Sequence, residues 1–172
     1  ERFSMAARSG RRVLVTGAAG FIGYHVAERL LKDGAAVNGI DNLNDYYDVS
    51  LKRARLARFA DHPRYRHHEF DLADPARTST LFESEAPARV IHLAAQAGVR
   101  YSITHPLAYG EANLSAFLNI LEGCRQRRVE HLTYASSSSV YGGNTKTPFS
   151  ERDPVDHPVS LYAATKRANE LM

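Results

Sequence analysis

The sequence predicts an α/β fold built as a doubly wound parallel sheet, and three observations carry that reading. Short β-branched runs alternate with longer amphipathic ones, the pattern of successive βα units. A glycine-rich turn separates the first such pair. The 172 residues, 44% apolar and 24% charged, have the size and balance of one globular domain. No apolar run approaches the ~20 residues of a membrane helix, and Glu1 to Arg12 has charge without the apolar stretch that export needs. No membrane partner and a cytoplasmic location are therefore expected. Residues 1–4, ahead of Met5, read as a cloning remnant, and residues 1–11 as a tail before a domain at 12–172.

Each element follows from local pattern. Arg12 to Thr16 is a buried strand, and Gly20 to Asp33 is a helix in which Ile22, Val26 and Leu30 recur at i, i+4 and i+8, with Gly34 as its stop. Ala36 to Ile40 is the second strand, ending at Asp41. A polar loop from Asn42 to Asp48, a basic helix around Leu51 to Phe59 and a strand from Tyr65 to Phe70 come next. The following helix has to end before Pro87, because the residue preceding proline resists helical geometry. Arg89 to Ala94 is the fourth strand. A helix from Glu111 to Arg127 sets Leu114, Leu118 and Leu121 on one face, and His131 to Ser136 is the fifth strand. Ser137 to Pro158, rich in Gly, Pro, Ser and Thr, is too long for an ordinary connection and is a candidate active-site loop or lid. Ser160 to Met172 is a last helix.

Charge and cysteine content exclude several functions. Twenty-two Lys and Arg against nineteen Asp and Glu leave a net charge of +3. The basic groups at Arg11–Arg12, Arg53 to Arg58 and Arg125 to Arg128 are separated and interleaved with apolar residues. They read as solvated helix faces, and no nucleic-acid partner is expected. The single cysteine, Cys124, rules out an internal disulfide or a multi-cysteine metal site. His67 and His68 are strand neighbours that point to opposite faces, so no metal is expected.

Four motifs carry chemistry. Gly17-Ala-Ala-Gly20-Phe-Ile-Gly23 falls where the first strand gives way to the first helix. A side chain there blocks close backbone approach to a pyrophosphate, while free N–H groups and the helix dipole attract that anion. Asp41 ends the next strand at about the expected ~20-residue spacing. A carboxylate accepts from both adenosine ribose hydroxyls and repels a 2′-phosphate, and its successor is Asn42 rather than arginine, so NAD is favoured over NADP. Asp71, ending the third strand with Leu72 behind it, can accept from the adenine amino group or cap a loop. Tyr162 and Lys166 stand at i and i+4 on one helical face. A phenol, with a reference pKa of about 10, needs a nearby cation to act as a base. Ser136 to Ser139 lie at the carboxyl end of the fifth strand, where open parallel sheets bind ligands. Arg100 follows the fourth strand and can pair with an anionic group or remain a surface arginine.

With TGAAGFIG at Thr16 to Gly23, Asp41-Asn42-Leu43, His92-Leu-Ala-Ala95, SSSVYG at Ser137 to Gly142 and YxxxK at Tyr162, the chain resembles the extended short-chain dehydrogenases/reductases over nearly all of residues 12–172. Within them it is most similar to the NAD-dependent nucleotide-sugar 4-epimerases. Asp41 to Asp48 and Ala97 to Ser102 resemble the UDP-glucuronate 4-epimerases. The resemblance implies a Rossmann-like sheet of order 3-2-1-4-5 with the C-terminal strands and substrate domain missing, since family members run to about twice this length.

It also implies the roles of residues. Ser137, Tyr162 and Lys166 would be the catalytic triad, with Tyr162 taking the proton of the sugar 4-hydroxyl as hydride leaves C4 for the nicotinamide. Gly17, Gly20, Phe21, Ile22, Gly23, Asp41, Asn42, Asp71, Leu72, Leu93, Ala94, Ala95 and Asn113 map onto cofactor-contacting positions, along with Tyr162 and Lys166. Arg100, Ser138 and Ser139 would meet the substrate. The 4,6-dehydratases carry an Asp-Glu pair where Ser138 and Ser139 stand, and the UDP-glucuronate decarboxylases a glutamate at the Ser139 position, so both outcomes are disfavoured. The expected reaction is 4-epimerisation of a UDP-sugar through a 4-keto intermediate, with UDP-glucuronate as substrate. UDP-galactose 4-epimerisation is the nearest rival, and a non-catalytic NAD-binding module the alternative of another class. The chain alone is expected not to turn over substrate. Glu111 to Arg127 and the helix from Ser160 are the candidates for homodimer pairing.

Overall fold

The structure, a computed structural model, describes residues 12–172; the tail expected at 1–11 lies outside them. Five parallel strands, β1 (Arg12–Thr16), β2 (Ala36–Asp41), β3 (Tyr65–Glu69), β4 (Arg89–His92) and β5 (His131–Tyr134), form one sheet in the order β3-β2-β1-β4-β5. Val13 pairs with Val37 on one side and Arg89 on the other. The chain thus starts in the middle of the sheet, steps outward through β2 and β3, then crosses back to β4 and β5. This reversal beside β1 leaves a crevice at the carboxyl ends of β1 and β4.

Alternation along β1 builds two cores. Val13 and Val15 face α1 (Phe21–Lys32) and pack with Tyr24, Ala27, Leu30, Val37 and Phe59. Leu14 faces the other way, into Ile40, Phe82, Val90, Ala116 and Ile120 beneath α3 (Pro75–Glu85) and α6 (Ala116–Arg127). The remaining helices are α2 (Val49–Ala57), the short α4 (Tyr101–Thr104) and α5 (Pro106–Tyr109), a π-helix (Gly110–Ser115) leading into α6, and α7 (Leu161–Leu171). Helix starts follow their caps. Asp48, Asp74 and Ser160 each accept from a backbone N–H of the first turn, and Pro75 occupies the first turn of α3, where its missing N–H costs nothing.

Two helical faces differ from the sequence expectation. In α1 the buried residues are Gly23, Tyr24, Ala27, Leu30 and Leu31, and Ile22 is 60% exposed. In α6 they are Ala116, Phe117, Ile120 and Gly123, and Leu118 is 51% exposed. In both, a glycine on the buried side permits a close approach beside large residues such as Tyr24 and Phe117. A Cβ on Gly23 would stand 2.0 Å from the Gly17 carbonyl oxygen, and one on Gly123 would stand 2.5 Å from the Phe82 ring. The expected stripes are thus met in part, with Leu30 buried and Val26, Leu114 and Leu121 half-buried, while Ile22 and Leu118 lie outside the core.

Strand ends differ too. β4 stops at His92 rather than Ala94 because the Leu93 and Ala94 N–H groups both donate to Thr16 Oγ1, at 3.0 Å, instead of extending the ladder. The predicted helix at 111–127 begins ten residues earlier as a broken series through Pro106 and the π-helix. The expected lid, 137–158, contains a 3₁₀ helix (Ser138–Tyr141) and folds on itself. Tyr141 stacks on Phe149 with centroids 4.4 Å apart, and Asp153 accepts from Lys146, Asn144 and the Ser150 N–H.

Candidate functional site

The crevice floor is the glycine turn. Gly17 has φ +68°, and a Cβ on it would lie 2.9 Å from the Ala94 nitrogen, so neither its conformation nor its surroundings admit a side chain. Gly20 caps α1 with no side-chain acceptor, which leaves the first-turn N–H groups of the helix open toward an anion. Thr16 ties the turn to β4. Its oxygen accepts from Leu93 and Ala94, so its own proton goes to His92 Nδ1 at 2.8 Å. Burial, with the charge of Lys166 second, pulls the His92 imidazole down to about 3, so the ring is neutral and accepts at Nδ1.

Asp41 closes one end of the groove. The residue is 8% exposed, and its carboxylate accepts from the Ala19 N–H at 3.1 Å and the Leu43 N–H at 2.9 Å. Asn42 donates to Asp71, whose second oxygen accepts from the Ala73 N–H. Lys52, 4% exposed, also lines the groove and donates to the carbonyl and side-chain oxygens of Asn44. Burial lowers its pKa, and the Asp41 charge opposes that shift.

The second cluster sits at the carboxyl end of β5. Lys166 is 5% exposed and donates to the Ala135 carbonyl at 3.1 Å, which seats α7 on the end of the strand. Burial pulls the ammonium down to about 8. Ser137 Oγ accepts from the Ser139 N–H at 3.2 Å, leaving its hydroxyl proton free to donate outward. Ser136 is committed elsewhere, donating to Glu170. Tyr162 lies half-buried one turn before Lys166, with the ring of buried Tyr109 edge-on at 6.1 Å.

Most of the sequence-predicted residues converge. Gly17, Gly20, Asp41, Asn42, Asp71, Leu72, Leu93, Ala94 and Ala95 line the groove over β1 and β4. Phe21 and Ile22 do not; their side chains line a separate apolar groove on the outer face of α1, with His25, Val26 and Arg29. Gly23 packs on Gly17 rather than lining the crevice. Asn113, 2% exposed, spends its amide inside the protein. It accepts from the Gln96 N–H and donates to the Gln96 carbonyl and Thr165 Oγ1, bracketing the β4 loop to α7. The π-helix, a form frequent at functional sites, brings Asn113 to this place. Arg100 stands exposed at the start of α4, and Ser138 and Ser139 lie in the 3₁₀ helix.

Sequence reasoning missed Tyr46, Tyr47, Lys52 and Gln96, all of which line the groove. Lys52 falls in the helix expected around Leu51 to Phe59, next to the basic group Arg53 to Arg58, and carries no motif of its own. No cluster of His, Cys, Asp and Glu among the described residues has the arrangement of a metal site.

Comparison with known proteins places this geometry. The family described as GDP-mannose 4,6 dehydratase matches residues 14–172. An uncharacterized 37.6 kDa protein of Escherichia coli O111:H- is 61% identical over 161 residues, covering 94% of this chain and 48% of that protein. UDP-glucuronate 4-epimerase 3 of Arabidopsis thaliana is 52% identical over 164 residues, covering 95% and 38%. Among solved structures, a Tyr-to-Phe mutant of UDP-glucuronic acid 4-epimerase from Bacillus cereus, in complex with UDP-4-deoxy-4-fluoro-glucuronic acid and NAD, superposes with a TM-score of 0.84 at 31% identity, covering 93% of this chain and 50% of that one. The chain spans about half the length of the curated relatives it matches. With the glycine turn, the acid ending β2, the serine-rich end of β5 and the Tyr-Lys helix all in their expected places, the chain belongs to the GDP-mannose 4,6 dehydratase family of extended short-chain dehydrogenases/reductases.

Proposed function

We propose that this chain binds NAD and carries the catalytic residues of a UDP-sugar 4-epimerase whose substrate is UDP-glucuronate. The observation that carries the reading is at the end of β5, where Ser137 keeps a free hydroxyl proton and Lys166 is seated on the Ala135 carbonyl one turn from Tyr162. The groove fits a dinucleotide. Gly17 and Gly20 leave backbone room and open N–H groups for a pyrophosphate, and buried Asp41 offers carboxylate lone pairs to ribose hydroxyls. Phe21 and Ile22 would then contribute backbone N–H groups, and Asn113 would position the Gln96 backbone rather than touch the cofactor.

Bound NAD supplies a reversible hydride acceptor. The protein's part is proton handling and orientation. Tyr162 accepts the proton of the sugar 4-hydroxyl and returns it, Lys166 supplies the adjacent positive charge, and Ser137 donates to the same sugar oxygen as charge develops on it. Ser138 and Ser139 are neutral hydroxyls, so the extra acid/base pair that elimination of water needs is not present at these positions. They are suited to hydrogen-bond a uronate carboxylate, with Arg100 as the candidate cation. Support for UDP-glucuronate comes from relatives such as the Arabidopsis enzyme. We further infer homodimer pairing through α6 and α7, whose Leu118, Leu161 and Leu171 stand exposed. No helix among the described residues is long and apolar enough to cross a membrane, which is compatible with the cytoplasmic location we propose.

The test is NMR of the anomeric signals of UDP-glucuronate incubated with the full-length protein and NAD. UDP-galacturonate is the expected product. A UDP-pentose would replace epimerisation by decarboxylation, conversion of UDP-glucose alone would move the substrate to the neutral sugar, and no conversion of either would leave a non-catalytic dinucleotide-binding module.

A further inference from the structure

We infer that Tyr46 and Tyr101 form a clasp that roofs the dinucleotide groove and sets how fast the cofactor enters and leaves. The inference rests on the NAD reading above. In the sheet order the loops following β2 and β4 flank the glycine turn that follows β1, so the crevice lies between them. Residues of both loops, among them Asn44, Tyr46, Gln96 and Ala97, line the groove. The β2 loop touches the start of α4, which ends the β4 loop. The Tyr46 ring packs edge-on against Tyr101 with centroids 4.9 Å apart and an interplanar angle of 63°. The contact thereby joins the two loops on either side of the groove whose lining includes Gly17 and Gly20.

Both sides of the contact are built for it. Gly98 has φ +98°, and a Cβ there would stand 2.7 Å from the Tyr46 hydroxyl, so the residue beneath the clasp has no room for a side chain. The fully buried Tyr109 holds that platform through its hydroxyl, 2.7 Å from the Ala97 carbonyl oxygen and 2.5 Å from that of Gly98. Tyr101 is itself stacked on His105 at 3.9 Å. On the other side α2 anchors the strap. Lys52 donates to Asn44 twice and lies 4.6 Å from the Tyr47 ring centroid, and Arg55 donates to the Tyr47 hydroxyl. The loop is thus fixed at its root by α2 and held at Tyr46 by its ring contact with Tyr101, while the outer side of Tyr46, 42% exposed, faces solvent. Such a gate suits a reaction that regenerates its oxidised cofactor each cycle, since nothing has to exchange between turnovers.

The test is stopped-flow fluorescence of NADH binding to this chain and its displacement by excess NAD. A gate limits passage in both directions. Tyr46→Ala and Tyr101→Ala are each expected to raise association and dissociation rates together by about tenfold, with Kd moving less than about threefold, while Tyr46→Phe, which keeps the ring, stays near the parent. A faster dissociation with unchanged association would make Tyr46 a simple contact and overturn the clasp, as would two unchanged rates. Failure of the parent chain to bind NADH at all would overturn the NAD reading itself, and the clasp with it.

Discussion

Tyr162→Phe is expected to lower UDP-sugar epimerisation by the full-length protein by about 10²–10⁴-fold, the range typical of a lost general base, with NAD still bound. The substitution removes one hydroxyl and keeps the ring that Tyr109 packs against edge-on, so the α7 helix and its neighbours stay in place. Ser137 remains able to donate to the sugar oxygen, but a neutral hydroxyl is too weak a base to take over the proton. Lys166, which has no lone pair to accept a proton with while it is an ammonium, stays on the Ala135 carbonyl. Turnover retained within about threefold of the parent would refute the assignment of Tyr162, and loss of NAD binding would show that the hydroxyl serves the cofactor instead.

Lys166→Met is expected to act in opposite directions on stability and on turnover. An ammonium that is 5% exposed, with a neutral carbonyl as its hydrogen-bond acceptor, sits in the folded protein at a cost, and burial accordingly brings its pKa down to about 8. Below pH 8 the group is protonated in both folded and unfolded states, and the penalty is present in full. Between about 8 and the ordinary lysine value near 10.5 the unfolded chain binds the proton and the folded chain does not, so stability from this group rises with pH. Methionine fills similar volume without the charge. At pH 7 the variant is expected to be more stable by about 1 kcal/mol, or ~2–4 °C in Tm for a chain of this size, with the gain shrinking as pH rises from 8 to 10.5. Differential scanning calorimetry across that range checks the sign. A parent more stable than the variant at pH 7 would show the buried ammonium to be better satisfied than its contacts indicate. In the full-length protein the same variant is expected to lose sugar conversion by at least ~10²-fold.

Both sites were legible in sequence for a physical reason: each depends on a residue type whose chemistry is local. Glycine at 17 and 20, an acid at the end of the second strand, and a tyrosine four residues before a lysine announce themselves wherever the helix and strand periods are read correctly. The strand order 3-2-1-4-5 likewise followed from the resemblance those motifs carry, and the sheet has it. What was not legible depends on close approach between distant parts of the chain. The buried stripes of α1 and α6 run through Gly23 and Gly123, residues that a count of large apolar side chains passes over. The π-helix and the inward turn of Asn113 exist because Gln96 and Thr165 meet it from elsewhere in the sequence. Lys52 carries no sequence signal of its own, and its burial comes from the fold of the loop that precedes its helix. Leu114, Leu118 and Leu121 share one face in the sequence pattern, yet Leu118 is exposed and the other two are half-buried.

On the proposed reading, the groove over β1 and β4 is an NAD site in which Asp41 selects the dinucleotide. Isothermal titration of NAD and NADP into this chain tests it directly, because Asp41 holds its carboxylate at the groove end between the Ala19 and Leu43 N–H groups, where a ribose 2′-phosphate would meet a second negative charge. NAD is expected to bind at least tenfold more tightly than NADP; equal or tighter binding of NADP, or no binding of either, would contradict the account.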